Sequence, residues 1–310
     1  MTMRNITLLS FASLIILTVS CKKSQNDTGI LEARTIIDTA YGTHPKQKMD
    51  IYLPKGRTED TPVIILLHGG AFVAGDKNEF SLLAQQFAAK GYAVLNVNYR
   101  LVNINGLIQS PPLHQASEVH ISDQLEDVKL AVNFAEKNAP LWKVSPDKWA
   151  AAGHSAGGTL ALLYGYDSAV MNKDKRIKAA ANWAGVLDFS YQDESELKMF
   201  DPRLEELLYR IAGKEPNNAN KAAFKDISII YNVTAENSIP TLNIRPEFNR
   251  IFTMPDISKP SYLAFSDILT SINTPNKLIE VKDADHGFSA PADWNLIINE
   301  TVSFFNQHLE

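Results

Sequence analysis

Residues 149–158 read Trp-Ala-Ala-Ala-Gly-His-Ser-Ala-Gly-Gly, and Gly153-His154-Ser155-Ala156-Gly157 within them is a G-x-S-x-G pentapeptide. The alanine-rich stretch 148–152 reads as a strand, and 159–164 as the start of a helix. A serine between the two stands on a sharp turn whose strained backbone leaves no room for neighbouring side chains, which explains the glycines. The turn lifts the hydroxyl clear of a sheet and points the following N–H at whatever oxygen binds there. Ser155 is therefore the candidate nucleophile. Glycine–serine turns are common, so the pentapeptide needs support from elsewhere in the chain.

That support lies upstream. Residues 62–67 (PVIILL) form a continuous apolar run, the pattern of a strand buried on both faces, and His68-Gly69-Gly70-Ala71-Phe72 follows at once. An HGG-type turn after such a strand supplies backbone N–H groups to an oxyanion hole. The expected donors are Gly70 or Ala71, with Ala156, each worth about 2.7–4 kcal/mol to an acyl-transfer transition state. His68 is expected to be structural, bonded inside the turn. A proton acceptor must then hang from a late strand. In the order serine, acid, histidine, only His286 and His308 remain, and Asp285-His286-Gly287-Phe288 has the required turn just after the apolar stretch 277–281.

Strand and helix patterns alternate along the rest of the chain. Strands are expected at 34–39, 48–53, 62–67, 92–97, 148–152, 178–183, 241–245 and 277–281. Helices are expected at 79–90, 123–137, 257–271 and 294–306, with Asp123 and Glu126 as a capping box for the second. The series predicts an α/β fold: a mostly parallel, roughly eight-stranded sheet with helices on both faces. Residues 101–121 and 186–240 break the alternation and are expected as loop insertions over the active site, with short helices near 204–211 and 220–224. Phe72, His154, Trp183 and Phe288 are candidates to wall a substrate pocket, although for each of them core packing competes.

The ends and the charge set the surroundings. Arg4, an apolar run over 6–19 and Ser20-Cys21 have the layout of an export signal over residues 1–20, followed by a polar tether at 21–30 and a catalytic domain at 31–310. Cys21 is the sole cysteine, so no internal disulfide can form. A net charge of −5 with no basic run leaves no electrostatic footprint for nucleic acid.

Several stretches carry a resemblance to known families. Leu17-Thr18-Val19-Ser20-Cys21 resembles a bacterial lipobox, which implies a lipidated Cys21 and an exported membrane lipoprotein facing the periplasm or the cell surface. Residues 49–54 (MDIYLP), 68–76 (HGGAFVAGD), Asn98-Tyr99-Arg100, Asp127, Pro146-Asp147, the GHSAGG run and the DHGF end resemble a carboxylesterase group of the α/β-hydrolase fold. That group contains feruloyl and acetylxylan esterases, esterases like hormone-sensitive lipase, and kynurenine formamidases. The resemblance implies a serine esterase working through an acyl-enzyme, without metal or organic cofactor, on a small-molecule or polysaccharide-linked ester. Acetyl and feruloyl esters of polysaccharides come first among these substrates. An amidase or formamidase on the same scaffold is the alternative, and a catalytically weakened surface binding protein is a second one. One departure stands out. The group's strand before the acid runs I-H-G-D-x-D, whereas here it is Ile244-Arg245-Pro246-Glu247-Phe248-Asn249, with asparagine at the aspartate position. In an extended stretch Glu247 would face the same way as Asn249. Glu247 is accordingly the expected acid, with Asn249 itself and Asp256 as alternatives. Oligomeric state has no signal in the sequence.

Overall fold

The computed structural model of the chain describes residues 29–167, 177–249 and 258–309. Cys21 and its signal segment lie outside the described residues, as does Asp256. By its internal contacts the chain divides into Met1–Ile30 and Leu31–Glu310, and the second unit holds every strand and helix among the described residues.

Its strands are β1 (Arg34–Ala40), β2 (Lys48–Leu53), β3 (Val63–Leu67), β4 (Ala93–Val97), β5 (Trp149–His154), β6 (Ile177–Trp183), β7 (Thr241–Phe248) and β8 (Asn276–Asp285). They form one sheet in the order β1-β2-β4-β3-β5-β6-β7-β8. β2 runs antiparallel to both β1 and β4, and every pairing from β4 through β8 is parallel. The longer helices among the described residues are α1 (Ser81–Ala89), α2 (Ile121–Trp142), α3 (Ala156–Tyr166), α5 (Pro202–Ala212), α8 (Lys259–Ser271) and α9 (Pro291–His308). Between α3 and α8 also lie the short α4 (Glu194–Leu197), α6 (Lys221–Asp226) and α7 (Ile229–Asn232).

The strand periodicity sorts side chains into two cores. Val63, Ile65 and Leu67 of β3 enter one, while Ile64 and Leu66 enter the other. A sheet covered on both faces explains why β3 is apolar throughout rather than alternating. Burying each such side chain stabilises the fold by about 1.5–3 kcal/mol. The alanines of β5 and β6 divide in the same way. Ala151 and Ala180 face the core that holds α2, α3 and α8, and Ala150, Ala152, Ala179 and Ala181 face α1 and α9.

Two local expectations are corrected. The cap of α2 is His120 rather than Asp123: His120 accepts from the backbone of Asp123, whose carboxylate takes the His120 N–H at 2.9 Å, so Glu126 has no part in it. β7 continues through Pro246 to Phe248, with a register shift against β8 between Pro246 and Phe248. Parallel strands bring all their carboxyl ends to one edge, where ligands bind in open α/β sheets. β3, β5, β7 and β8 each end there.

Candidate active site

Ser155 sits between β5 and α3 with φ 53° and ψ −123°, a backbone conformation costing on the order of 1–3 kcal/mol. The surroundings hold it there. Its N–H donates to the Trp183 carbonyl at 2.7 Å, which ties the turn to β6. A Cβ at Gly157 would fall 2.2 Å from the Leu67 carbonyl oxygen, so only glycine lets α3 start this close to β3.

Three side chains from three strand ends then line up. The Ser155 hydroxyl donates to His286 Nε2 at 2.9 Å, and His286 Nδ1–H donates to Asn249 Oδ1 at 2.6 Å. Asn249 is buried, and its Nδ2 donates to the Ser258 hydroxyl at 2.7 Å. The structure thus places Asn249, and not Glu247, on His286. The Glu247 carboxylate instead accepts the Asp283 N–H at 2.8 Å. The register shift is the physical reason: its extra residues lie on β8, so Asp283 in the bulge meets Glu247, while Phe248 pairs with Asp285 and the next residues, Asn249 and His286, come together. Asp285, next to the histidine, is engaged by the Ser289 N–H and hydroxyl, which hold its carboxyl below the usual carboxylate range.

The turn after β3 is wound through three successive positive φ values, Gly70 at 118°, Ala71 at 50° and Phe72 at 67°. Val73 and Ala74 N–H both close onto the Gly70 carbonyl, while Gln124 Nε2 and the Val102 N–H clamp the Phe72 carbonyl. This curl leaves Ala71 facing the same cavity as Ser155 and Ala156. The Ala156 N–H, in the first turn of α3, has no partner inside the helix and benefits from the positive end of the helix dipole. Gly70 precedes the cavity wall and does not line it. His68 is buried behind the turn, stacked on Tyr99 at 4.3 Å, with Nδ1–H donating to the Gly69 carbonyl. Burial pushes its pKa down to about 4, so the ring is neutral at ordinary pH.

The cavity beside Ser155 has a volume of about 580 Å³. Phe72 lines it as expected. His154, Trp183 and Phe288 do not. Trp183 and Phe288 lie in the core on the opposite face of the sheet, where Trp183 donates to Thr301 and stacks on Phe87. His154 packs among His286, Phe288 and Trp294 and donates Nε2–H to the His286 carbonyl at 2.8 Å; it supports the loop that carries His286. The walls come instead from the excursion between β6 and β7: Phe189, Tyr191, Phe200 and the face Leu204, Leu207, Leu208 and Ile211 of α5. The earlier excursion, 101–120, works from behind. Buried Arg210 of α5 donates to the carbonyls of Asn103, Asn105 and Leu113, so that segment holds the wall in place. Sequence reasoning named neither Ser258 nor the aromatic wall residues. The i, i+3, i+4, i+7 spacing on α5 was the signal that could have found the wall. Among the described residues, no group of three or more His, Cys, Asp or Glu side chains could hold a metal ion.

A nucleophile turn, a late histidine and an oxyanion-type curl on this sheet define the α/β-hydrolase class. The BD-FAE family profile matches residues 49–247, most of the chain, and the chain belongs to that family of α/β-hydrolase esterases. Among curated proteins it is 30% identical over 121 residues to a probable isoprenylcysteine alpha-carbonyl methylesterase of Arabidopsis thaliana, covering 39% of this chain and 22% of that one. It is 29% identical over 215 residues to Esterase LipC of Mycobacterium tuberculosis, covering 66% of this chain and 48% of that one. The chain therefore spans less than half the length of either relative. A truncated carbohydrate esterase from gut microbiota superposes with a TM-score of 0.68 at 19% identity, over 90% of this chain and 97% of that one, which establishes the shared fold.

Proposed function

We propose that the protein is a serine carboxylesterase that works through an acyl-enzyme, with Ser155 as nucleophile, His286 as base and Asn249 as the group that orients the histidine. The observation that carries this reading is the unbroken run Asn249–His286–Ser155, at 2.6 and 2.9 Å, ending in a cavity that Ala71 and Ala156 also face. Ser155 Oγ attacks the ester carbonyl while His286 Nε2 takes its proton. The carbonyl oxygen, now negative, is met by the N–H groups of Ala71 and Ala156. His286 returns the proton to the leaving alcohol, then activates the water that releases the acid.

The apolar wall supports substrates with more than an acetyl group to bury. Of the two polysaccharide acyl groups expected from the sequence, feruloyl fits that wall better than acetyl. At the amino end we propose lipidation at Cys21 and export to a bacterial membrane, supported by the apolar run and Ser20 that precede the chain's sole cysteine. Labelled palmitate entering the native protein but not Cys21→Ala would bear this out, and a soluble, unlabelled native protein would end it.

Covalent labelling by a fluorophosphonate, followed by turnover of p-nitrophenyl esters and the matching anilides, tests the enzymatic reading. Labelling and ester hydrolysis that Ser155→Ala abolishes, with an unchanged thermal transition, is the expected result. Faster turnover of the anilides would make the enzyme an amidase. An unlabelled native protein would make it a binding protein on a hydrolase scaffold.

A further inference from the structure

An amide in the third position has a difficulty that a carboxylate does not. Its two ends have the same shape and opposite hydrogen-bonding character. With Oδ1 toward His286, Nδ1 carries the proton and Nε2 presents a lone pair to the serine. With Nδ2 toward His286, the proton sits on Nε2 and the base is blocked. In a trypsin variant whose triad aspartate is replaced by asparagine, this wrong tautomer costs about 10⁴ in turnover.

We infer that Ser258 selects the working orientation of the Asn249 amide, acting as a positioning residue for the base; the inference rests on the catalytic reading above. Its hydroxyl is 2.7 Å from Asn249 Nδ2, on the side of the amide opposite His286. Accepting that N–H leaves Oδ1 to receive the His286 proton at 2.6 Å. A hydroxyl can also donate, so the selection includes the Ser258 proton being turned to an acceptor other than this amide. Ser258 is well anchored for the task. It immediately precedes α8, and its carbonyl accepts the Ser261 hydroxyl at 2.7 Å and the Tyr262 N–H at 3.2 Å. Asn249 is only 6% exposed, so bulk water is poorly placed to take over the contact. The relay then has four members, Ser258–Asn249–His286–Ser155, drawn from the start of α8 and the ends of β7, β8 and β5.

The two oxygens of an aspartate are equivalent, so an aspartate at 249 needs no such selection. This gives a test that a merely structural serine would fail. Turnover of a p-nitrophenyl ester is measured for the native protein, Ser258→Ala, Ser258→Thr, Asn249→Asp and the double variant Ser258→Ala/Asn249→Asp. The loss of one buried hydrogen bond that sets the amide should lower kcat roughly tenfold in Ser258→Ala, with KM within about twofold. Ser258→Thr, which keeps the hydroxyl, should recover most of that loss. With aspartate at 249, adding Ser258→Ala should cost under about threefold. In parallel, ¹⁵N resonances of His286 should show the proton on Nδ1 in the native protein and a mixture of tautomers in Ser258→Ala. An equal loss in both backgrounds, no loss in the native background, or an unchanged tautomer would overturn the inference. If Asn249→Ala leaves kcat unchanged, Asn249 is no part of the relay, and the catalytic reading of that residue fails along with it.

Discussion

In the proposed mechanism, a neutral amide behind His286 changes what the base can do. A carboxylate there would stabilise the imidazolium as it forms and hold the free base at a higher pKa. The amide fixes orientation and tautomer without adding that charge. Replacing Asn249 by Asp should therefore raise kcat and move the acidic limb of the kcat/KM profile up by about one pH unit. The native enzyme should in turn keep the larger fraction of its maximal activity near pH 5. A profile between pH 4.5 and 9 checks both, and an unmoved limb would mean that residue 249 does not meet the base in solution. Glu247→Gln should change kcat less than about threefold, because its carboxylate holds the Asp283 N–H and the glutamine oxygen can do the same. Ser155 and His286 were legible in the sequence because the strained turn and the late loop each demand a local pattern. The choice between Glu247 and Asn249 was not, since it turns on a register shift between neighbouring strands that leaves no mark in the one-dimensional pattern.

All eight strands were legible at the element scale, the inner ones because burial on both faces writes long apolar or alanine runs, and the largely exposed edge strands β1 and β8 through shorter apolar stretches. The helices of the 186–240 excursion were only partly so. Their apolar faces serve a cavity as well as a core, and short helices carry few periods. α5 shows the consequence. Leu204, Leu207, Leu208 and Ile211 give it a four-residue apolar face, and all four line the cavity beside Ser155. An acyl chain reaching that face should gain up to about 0.8 kcal/mol per buried methylene, roughly fourfold in kcat/KM for each carbon added. Across p-nitrophenyl acetate, butyrate, hexanoate and octanoate, kcat/KM should climb until the cavity is filled. Leu204 is only partly buried, so Leu204→Trp can fill the space without disturbing the core, and it should shift the preference back toward acetate. A flat series in the native enzyme would place the chain outside this cavity. A parallel series of acetate esters of longer alcohols would show whether the alcohol occupies it instead.

Over the whole molecule, two histidines, His68 buried and His154 half-buried, link the site to the stability of the fold. Burial holds His68 at about 4 and also lowers the pKa of His154. Both rings therefore protonate more readily when the chain unfolds, so the unfolded state binds more protons as the pH falls. Stability is fully present above the ordinary histidine value of about 6.5 and is lost as the pH drops toward 4, by about 3 kcal/mol from His68 alone. Thermal transitions recorded from pH 7.5 to 4 should fall within that window, and less steeply in His68→Asn. A transition independent of pH would show that the ring is already charged or solvated in the folded state. The sheet order has a different consequence. β6 and β7 are parallel neighbours and Thr241 pairs with Ala180, so the excursion leaves the sheet after Trp183 and rejoins it three residues further back, roughly 11 Å away. Ser155, His286 and the turn after β3 all lie outside it. The segment between Trp183 and Thr241 is in effect a cassette, one that a breeder of new catalysts could exchange for a relative's, together with the 103–113 stretch that Arg210 holds, without cutting into Ser155, His286 or Asn249.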